Sequence, residues 1–120
     1  FIHEMLEKLG KEIRGEAGEG VYEIYYKAKT DYENLEEHQK TMLAEAEIEV
    51  SNESKNLEIK LTQAEISRFA LAREFYKNHL EGLNKARKIM NQALAKVKSC
   101  EARLSILQSL NKYSDKSDNF

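Results

Sequence analysis

The amino-acid sequence predicts an all-α protein built on a long antiparallel helical hairpin or coiled coil. Its 120 residues contain no proline and no tryptophan, and charged residues make up 33% of them. A composition rich in Glu, Lys, Ala and Leu without proline is typical of long helices. The second half of the chain also repeats apolar residues every seven positions, which is the spacing of a coiled coil. We therefore expect one domain of long helices, preceded by a short N-terminal helix.

Residues 1–14 are predicted to form that short N-terminal helix. The apolar side chains that would share one helical face are Ile2, Met5, Leu6, Leu9 and Ile13. Three glycines then fall within residues 15–20, and glycines at this density break helices. We expect residues 15–20 to form a Gly-rich hinge, which would make the first helix separately mobile.

A second helix is predicted to begin near Val21. Its seam follows steps of four and three residues through Val21, Tyr25, Ala28, Tyr32, Leu35, Gln39, Met42 and Ala46. The start of this helix is rich in tyrosine, with Tyr22, Tyr25, Tyr26 and Tyr32. Two of these rings lie on the seam, so we favour core packing over stacking on nucleic-acid bases.

Residues 47–61 allow two interpretations. The apolar residues that alternate with polar ones are Ile48, Val50, Leu57, Ile59 and Leu61, which is typical of a short β-hairpin. A helix would instead use Val50, Ser54, Leu57 and Leu61 as one face and would expose Ile48 and Ile59. We favour a helix that continues to about residue 50 and is followed by a turn. The hairpin near residues 47–61 is the alternative.

The segment LTQAE is predicted to begin a helix that runs to about Tyr113. Thr62 can cap this helix, and Glu65 can reach back to it, which makes a capping box. Apart from Gly82 this stretch contains no helix-breaking residue, so we expect a single helix of about fifty residues. We divide the chain into the N-terminal helix 1–14, the hinge 15–20, a helical hairpin domain 21–113 and a flexible tail 114–120.

Two heptad positions repeat through this helix. The first contains Phe69, Tyr76, Leu83, Met90, Val97 and Leu104, and the second contains Ala72, His79, Ala86, Ala93, Cys100 and Leu107. A strict step of seven predicts a left-handed supercoil, and the small residues of the second series predict a close helix pair. Two long helices make a thin core, so we expect a homo-oligomer. Leu80 and Leu94, which flank the seam, are expected in the wider contact.

Catalytic, metal and membrane functions find no support in the sequence. His79 is expected to be a packed, hydrogen-bonded seam residue, because no Cys, Asp or second His stands at helical ligand spacing from it. Cys100, the single cysteine, excludes an intrachain disulfide and fits a reducing cytoplasm. We find no phosphate-binding glycine loop, no membrane-length apolar run and no signal-peptide pattern. We expect no enzyme, no metal and no cofactor. The chain begins with Phe1 rather than methionine, which leaves open whether the natural N-terminus precedes it.

Charge is distributed unevenly along the chain. Residues 1–60 carry a net charge of −7 and residues 61–120 a net charge of +5. Such a split fits either an acidic helix against a basic one or a nucleic-acid surface, and composition alone favours the first. The positive residues between 66 and 103 are Arg68, Arg73, Lys77, Lys85, Arg87, Lys88, Lys96, Lys98 and Arg103. A broad positive face of this kind can hold phosphate backbone without reading base sequence.

Residues 64–109 also contain an Ala-Glu helix start, a core with the pattern A…Y…L-E-G-L…A and a late E…R…S segment. The positions concerned are Ala64, Glu65, Ala72, Tyr76, Leu80, Glu81, Gly82, Leu83, Ala86, Glu101, Arg103 and Ser105. In these features the chain resembles small helical proteins that bacteriophages and prophages encode among recombination genes, and which look like distant relatives of the UvsY recombination mediator. The resemblance covers about the last 60 residues.

The resemblance implies a homo-oligomer in the cytoplasm of a bacterial host cell that binds single-stranded DNA without sequence preference. Such a protein would help to load a recombinase onto strands covered by single-strand-binding protein. Charge alone, not the resemblance, nominates the DNA-contacting residues Arg68, Arg73, Lys77, Lys85, Arg87, Lys88, Lys96 and Lys98. The alternative is a structural or protein-interaction coiled coil, such as an adaptor or chaperone, with no affinity for nucleic acid. Its partner would dock on the tyrosine-rich end.

Overall fold

The computed structural model describes the backbone of residues 1–16 and 18–118, and the side chains of residues 1–16 and 18–113. Within these ranges the chain is all-α, as predicted. The helices are α1 (Ile2–Arg14), α2 (Val21–Asn56), α3 (Gln63–Leu71) and α4 (Glu74–Asp118). The alternative of a β-hairpin near residues 47–61 is wrong, because these described residues contain no strand.

The chain forms two compact units. Unit 1 consists of Phe1–Lys29 and Ile89–Phe120, and unit 2 consists of Thr30–Lys88. In each unit a segment of α2 packs against a segment of α4. Within unit 2, Tyr32 contacts Arg87 while the later part of α2, at Ala46, packs near Phe75. The two helices therefore run antiparallel there, which confirms the predicted helical hairpin.

The core of unit 1 contains one large residue from α1. Its buried members are Leu9, Val21, Val97, Cys100 and Leu107. The helix α1 ends at Gly15, whose left-handed backbone (φ 81°, ψ 35°) lets its N–H donate to the Lys11 carbonyl. A Cβ on Gly15 would lie 2.3 Å from the Gly20 nitrogen, so this close chain reversal requires glycine. The predicted N-terminal helix is therefore present and packed, and its separate mobility stays a prediction.

The core at the end of unit 2 is made of small residues. Ala46 and Ala70 are fully buried beside Val50, which allows α2 and α3 to approach closely. Because Val50 belongs to this core, α2 continues to Asn56 rather than ending near residue 50 as predicted. Ile48 and Ile59 are exposed, as the helical interpretation of this segment predicted, but Leu57 is exposed as well.

The turn between α2 and α3 is held by hydrogen bonds at both helix ends. The N–H groups of Glu58 and Ile59 donate to the Lys55 and Ser54 carbonyls at 3.1 and 2.8 Å, the pattern of a Schellman motif. The left-handed residue of that motif is Glu58 (φ 55°), where glycine is usual. At the start of α3 the capping box of Thr62 and Glu65 is present, as predicted. The Thr62 backbone N–H donates to Glu65, and this bond lowers the pKa of the Glu65 carboxyl.

The prediction of one unbroken helix from Thr62 to Tyr113 is wrong. The chain leaves the helix after Leu71, where the N–H groups of Ala72 and Arg73 donate to carbonyls only three residues back. Gly82, the expected weak point, lies inside α4 without interrupting it. The break shifts the heptad register: Ala70 is buried in α3, and Phe69, predicted for the seam, is 45% exposed.

The heptad prediction holds within α4 itself. Tyr76, Leu83 and Val97 are buried. The partly buried residues along the same face are His79, Leu80, Ala86, Met90, Leu94 and Leu104. The helix continues past Tyr113 to Asp118. Of the predicted flexible tail 114–120, the backbone of residues 114–118 is helical, and the last two residues lie outside the described ranges.

Candidate nucleic-acid interface

The positive residues of α3 and α4 fall into two groups. The arginines contact other groups of the same chain, whereas the lysines extend into solvent. The charge split in the sequence favoured an acidic helix against a basic one, but it could not indicate which of the nine cations would be paired.

Arg73 is neutralised by two glutamates of α2. Its Nη1 lies 3.5 Å from the Glu49 carboxylate, and its Nη2 donates to Glu53. The hydrogen bond to Glu53 raises the pKa of Arg73, so the guanidinium stays charged and paired. The side chain is also only 27% exposed. A phosphate would have to displace both carboxylates, and Arg73 is therefore a poor candidate for DNA contact.

Arg103 makes a corresponding contact in unit 1. Its Nη2 donates to the Cys100 sulfur at 3.3 Å and lies 3.3 Å from the Glu12 carboxylate of α1. The hydrogen bond to Cys100, followed by the charge of Glu12, raises the pKa of Arg103. The Cys100 thiol in turn donates to Glu12 at 3.7 Å. Arg103 therefore joins α1 to α4 rather than forming part of an open positive face.

Arg68 and Arg87 lie against aromatic rings. The Arg68 guanidinium is 5.5 Å from the centre of the Phe69 ring, and that of Arg87 is 5.5 Å from the centre of the Tyr32 ring. Arg87 also donates from Nε to the Tyr32 hydroxyl at 3.3 Å. These contacts orient both guanidinium groups but leave them at the surface, since both residues are exposed.

The lysines of α4 make a different pattern. In unit 2 Lys77, Lys85 and Lys88 are exposed, and in unit 1 Lys96 and Lys98 are exposed. Within the described residues none of these five ammonium groups forms an ion pair. The acidic helix α2 thus neutralises Arg73 without reaching the lysines.

The tyrosine-rich start of α2 is mainly a packing feature. Tyr25 packs against the core of unit 1, and the Tyr22 hydroxyl donates to Glu101 at 2.7 Å. This hydrogen bond raises the pKa of the Tyr22 phenol. Tyr26 is 59% exposed and lies 5.4 Å from Tyr25 between ring centres. The sequence interpretation of packing therefore fits Tyr25, while Tyr26 remains an exposed ring.

Cys100 and His79, the two residues whose chemistry the sequence analysis considered, belong to different units. Over residues 1–16 and 18–118, no group of three His, Cys, Asp or Glu side chains could hold a metal ion. Cys100 is buried and reduced. His79 contacts Tyr76, with 6.4 Å between ring centres, but its buried Nε2 has no hydrogen-bond partner among the described residues. The expected hydrogen bond at that atom is not observed.

Sequence reasoning did not find an open apolar groove in unit 2. The groove has a volume of about 540 Å³ and is lined mainly by Val50, Leu57, Ile59, Leu61, Phe69 and Ala72. The alternation of Leu57, Ile59 and Leu61 is the one local signal for it, but that pattern indicated only the β-hairpin that was the alternative for residues 47–61. The break before α4, which turns Phe69 outward, has no sequence signal of its own.

No protein-family model matches the chain, and no curated protein and no solved structure matches it either. Among the described residues, no helix combines the length and the apolar character needed to cross a membrane.

Proposed function

We propose that this protein is a non-enzymatic accessory of DNA recombination that binds single-stranded DNA without sequence preference and assists the loading of a recombinase. The observation that best supports DNA binding is the row of unneutralised lysines on α4. Lys77, Lys85 and Lys88 in unit 2 have no carboxylate partner among the described residues, so phosphate oxygens can take that place without breaking an internal contact.

Lysine suits this role physically. Its ammonium group is a compact charge on a flexible stem, which contacts phosphate oxygens at many angles and carries no base preference. Each contact releases counterions from the strand, so binding weakens as salt rises. Of the eight residues that charge predicts as DNA contacts, we propose Lys77, Lys85 and Lys88 as the main phosphate contacts of unit 2, and Lys96 and Lys98 as those of unit 1. Arg68 and Arg87 are secondary contacts, and Arg73 is the weakest candidate because it pairs with two glutamates.

The resemblance of residues 64–109 to phage recombination proteins supplies the biological context for this proposal. It implies a protein that acts on single strands in the cytoplasm of a bacterial host cell. Several copies of the chain on one strand would add their weak phosphate contacts through multivalency. The recombinase-loading step rests on this resemblance alone.

Fluorescence anisotropy with a labelled single-stranded oligonucleotide across a salt series tests the binding. The wild-type chain is expected to bind at low salt, with affinity that falls as salt rises. The triple variant Lys77→Glu, Lys85→Glu, Lys88→Glu should lose most of this binding. Loss of three phosphate contacts should flatten the slope of log affinity against log salt by about 2 for a single strand.

The matched control is a second triple variant, with the same change in net charge at lysines outside α4. Lys8, Lys40 and Lys55 are exposed lysines of α1 and α2, without an ion pair among the described residues. Their reversal to Glu should weaken binding only modestly, through the general field. Equal losses in both triple variants would contradict the assignment to α4, and no wild-type binding at low salt would contradict the proposed function.

The protein-interaction adaptor remains the second candidate because several large apolar side chains are exposed. Leu57, Ile59 and Phe69 lie together in unit 2, and their exposure to water is unfavourable unless a partner covers them. An adaptor predicts protein contacts at such a surface and no salt-dependent affinity for single strands. The anisotropy experiment therefore separates the two functions.

A further inference from the structure

The groove in unit 2 is an open apolar feature that the DNA-binding proposal does not use. It is lined by residues from the end of α2, the turn after it, α3 and the break before α4. Leu57 is 69% exposed, Ile59 is 52% exposed and Phe69 is 45% exposed. Together they present apolar surface on the order of 300 Å², which reaches the size of the largest patch on an ordinary monomer.

The turn that carries this patch contains an unfavourable backbone conformation. Glu58 adopts the left-handed conformation between Leu57 and Ile59, where a residue with a Cβ is disfavoured. Both neighbours point into solvent as a result of this turn and not into the small core of Ala46, Val50 and Ala70. The backbone thus keeps two large apolar side chains away from the core of their own unit.

We propose that this groove is a self-association surface, on which a second copy of the same chain docks face to face. The surface contains both a concave part and a protruding Leu57, so two copies can insert their Leu57 side chains into each other's grooves. A two-fold contact requires this kind of self-complementary surface. The proposal does not depend on DNA binding, because the groove contains none of the α4 lysines.

Charge in and beside the groove favours a second copy over a strongly acidic or basic partner. The charged residues that line the groove, Glu53 and Arg73, pair with each other. Glu58 and Lys60, on either side of Ile59, are exposed and form no ion pair among the described residues. In the proposed two-fold arrangement Glu58 of one copy would face Lys60 of the other, twice per dimer, whereas a partner with a large charge of one sign would find no matching field here.

The available area fits a dimer of modest affinity. A standard interface buries about 800 Å² per partner, of which somewhat more than half is apolar. The exposed parts of Leu57, Ile59 and Phe69 supply much of that apolar share. We therefore expect association at micromolar rather than nanomolar concentration.

Sedimentation equilibrium of the full chain, without DNA, tests the proposal. The wild type should form a dimer, and Leu57→Gln with Ile59→Gln should raise its dissociation constant about a hundredfold. Ile48→Gln is the matched control, since Ile48 is 60% exposed in the same unit but does not line the groove. This control should leave the dissociation constant unchanged, and circular dichroism should show that all variants remain helical.

A charge exchange tests the geometry independently. Glu58→Lys and Lys60→Glu should each weaken the dimer a few-fold, because each places like charges opposite one another. The two changes together should restore the wild-type constant. A wild-type chain that stays monomeric up to about 1 mM would overturn the proposal, because the groove would then serve another partner or none. An oligomer that survives the Leu57 and Ile59 changes, for example one built on Leu80 and Leu94, would overturn it as well.

Discussion

The buried core of unit 1 contains large apolar residues, whereas the buried core at the end of unit 2 consists of two alanines and a valine. Leu9 and Leu107 are buried with Val97 in unit 1, and α1 contributes Leu9 to that core. In unit 2 the buried cluster is Ala46, Val50 and Ala70, and the larger Leu57 and Phe69 remain outside it. A small, close-packed core can therefore leave nearby large apolar residues exposed and available for contact with another surface.

The two units also end a helix in the same backbone conformation with different residues. Gly15 after α1 and Glu58 after α2 both have positive φ, at 81° and 55°. Glycine adopts this conformation without penalty, and glutamate does not. In unit 1 the turn is therefore relaxed, while in unit 2 it is strained next to the apolar groove.

The largest expected effect of a mutation lies in the core of unit 1. Leu9→Ala should lower the free energy of unfolding by about 3 kcal/mol, because a buried leucine leaves a cavity that α1 cannot refill. Urea titration monitored by circular dichroism measures this loss. Met5→Ala, at a half-exposed position of the same helix, should cost less than about 1 kcal/mol and serves as the control.

A larger side chain in the small core of unit 2 should lower the free energy of unfolding. Ala70→Leu adds three carbons where α2 and α3 touch, and the cost should be about 2 kcal/mol from overpacking. Ala64→Leu, at an exposed position of α3, should be nearly neutral in the same urea titration. If Ala70→Leu were also neutral, the close approach of Ala46 and Ala70 would be wrong.

Replacing Glu58 should stabilise the protein. Glu58→Gly removes the unfavourable left-handed glutamate and should raise the free energy of unfolding by about 1 kcal/mol. The control is Glu45→Gly, at an exposed helical position of α2, which should lower stability by about 1 kcal/mol. Thermal unfolding of dilute protein compares the two variants. The same direction of change in both would argue against strain at Glu58.

The smallest effect concerns the capping box of α3. Hydrogen bonds from Thr62 lower the pKa of Glu65 below its ordinary value of 4.5. The native state therefore binds the Glu65 proton less tightly than the unfolded state does. The stability that Glu65 contributes is fully present at a pH above its ordinary pKa, and it is lost as the pH falls through the lowered pKa. Thr62→Ala removes the hydroxyl that donates to Glu65 but keeps the backbone N–H, which is the larger cause, so an NMR titration should find a Glu65 midpoint that rises only part of the way to the ordinary value. An unchanged midpoint would mean that the Thr62 hydroxyl does not contribute.

Much of the fold could be predicted from local patterns. The α2 seam that ends at Ala46, the heptads of α4 from Tyr76 onward and the Thr62–Glu65 cap all depend on residues close in sequence, so periodicity and capping chemistry predicted them. The candidate site was predicted less well. Counting charges could not separate Arg73, which pairs with glutamates about 20 residues away, from Lys77, which does not.

By itself the sequence determined the helical class, the packing face of each long helix and the basic character of the second half, because these are set by residue type and spacing along one helix. Only the tertiary structure decided where the helix breaks near Arg73, which cations are neutralised and which apolar side chains remain exposed. The break has no proline or glycine to mark it, and it coincides with the contacts of Ala70 with α2 and of Arg73 with Glu49 and Glu53. Contacts of this kind join residues distant in sequence, and no local pattern specifies them.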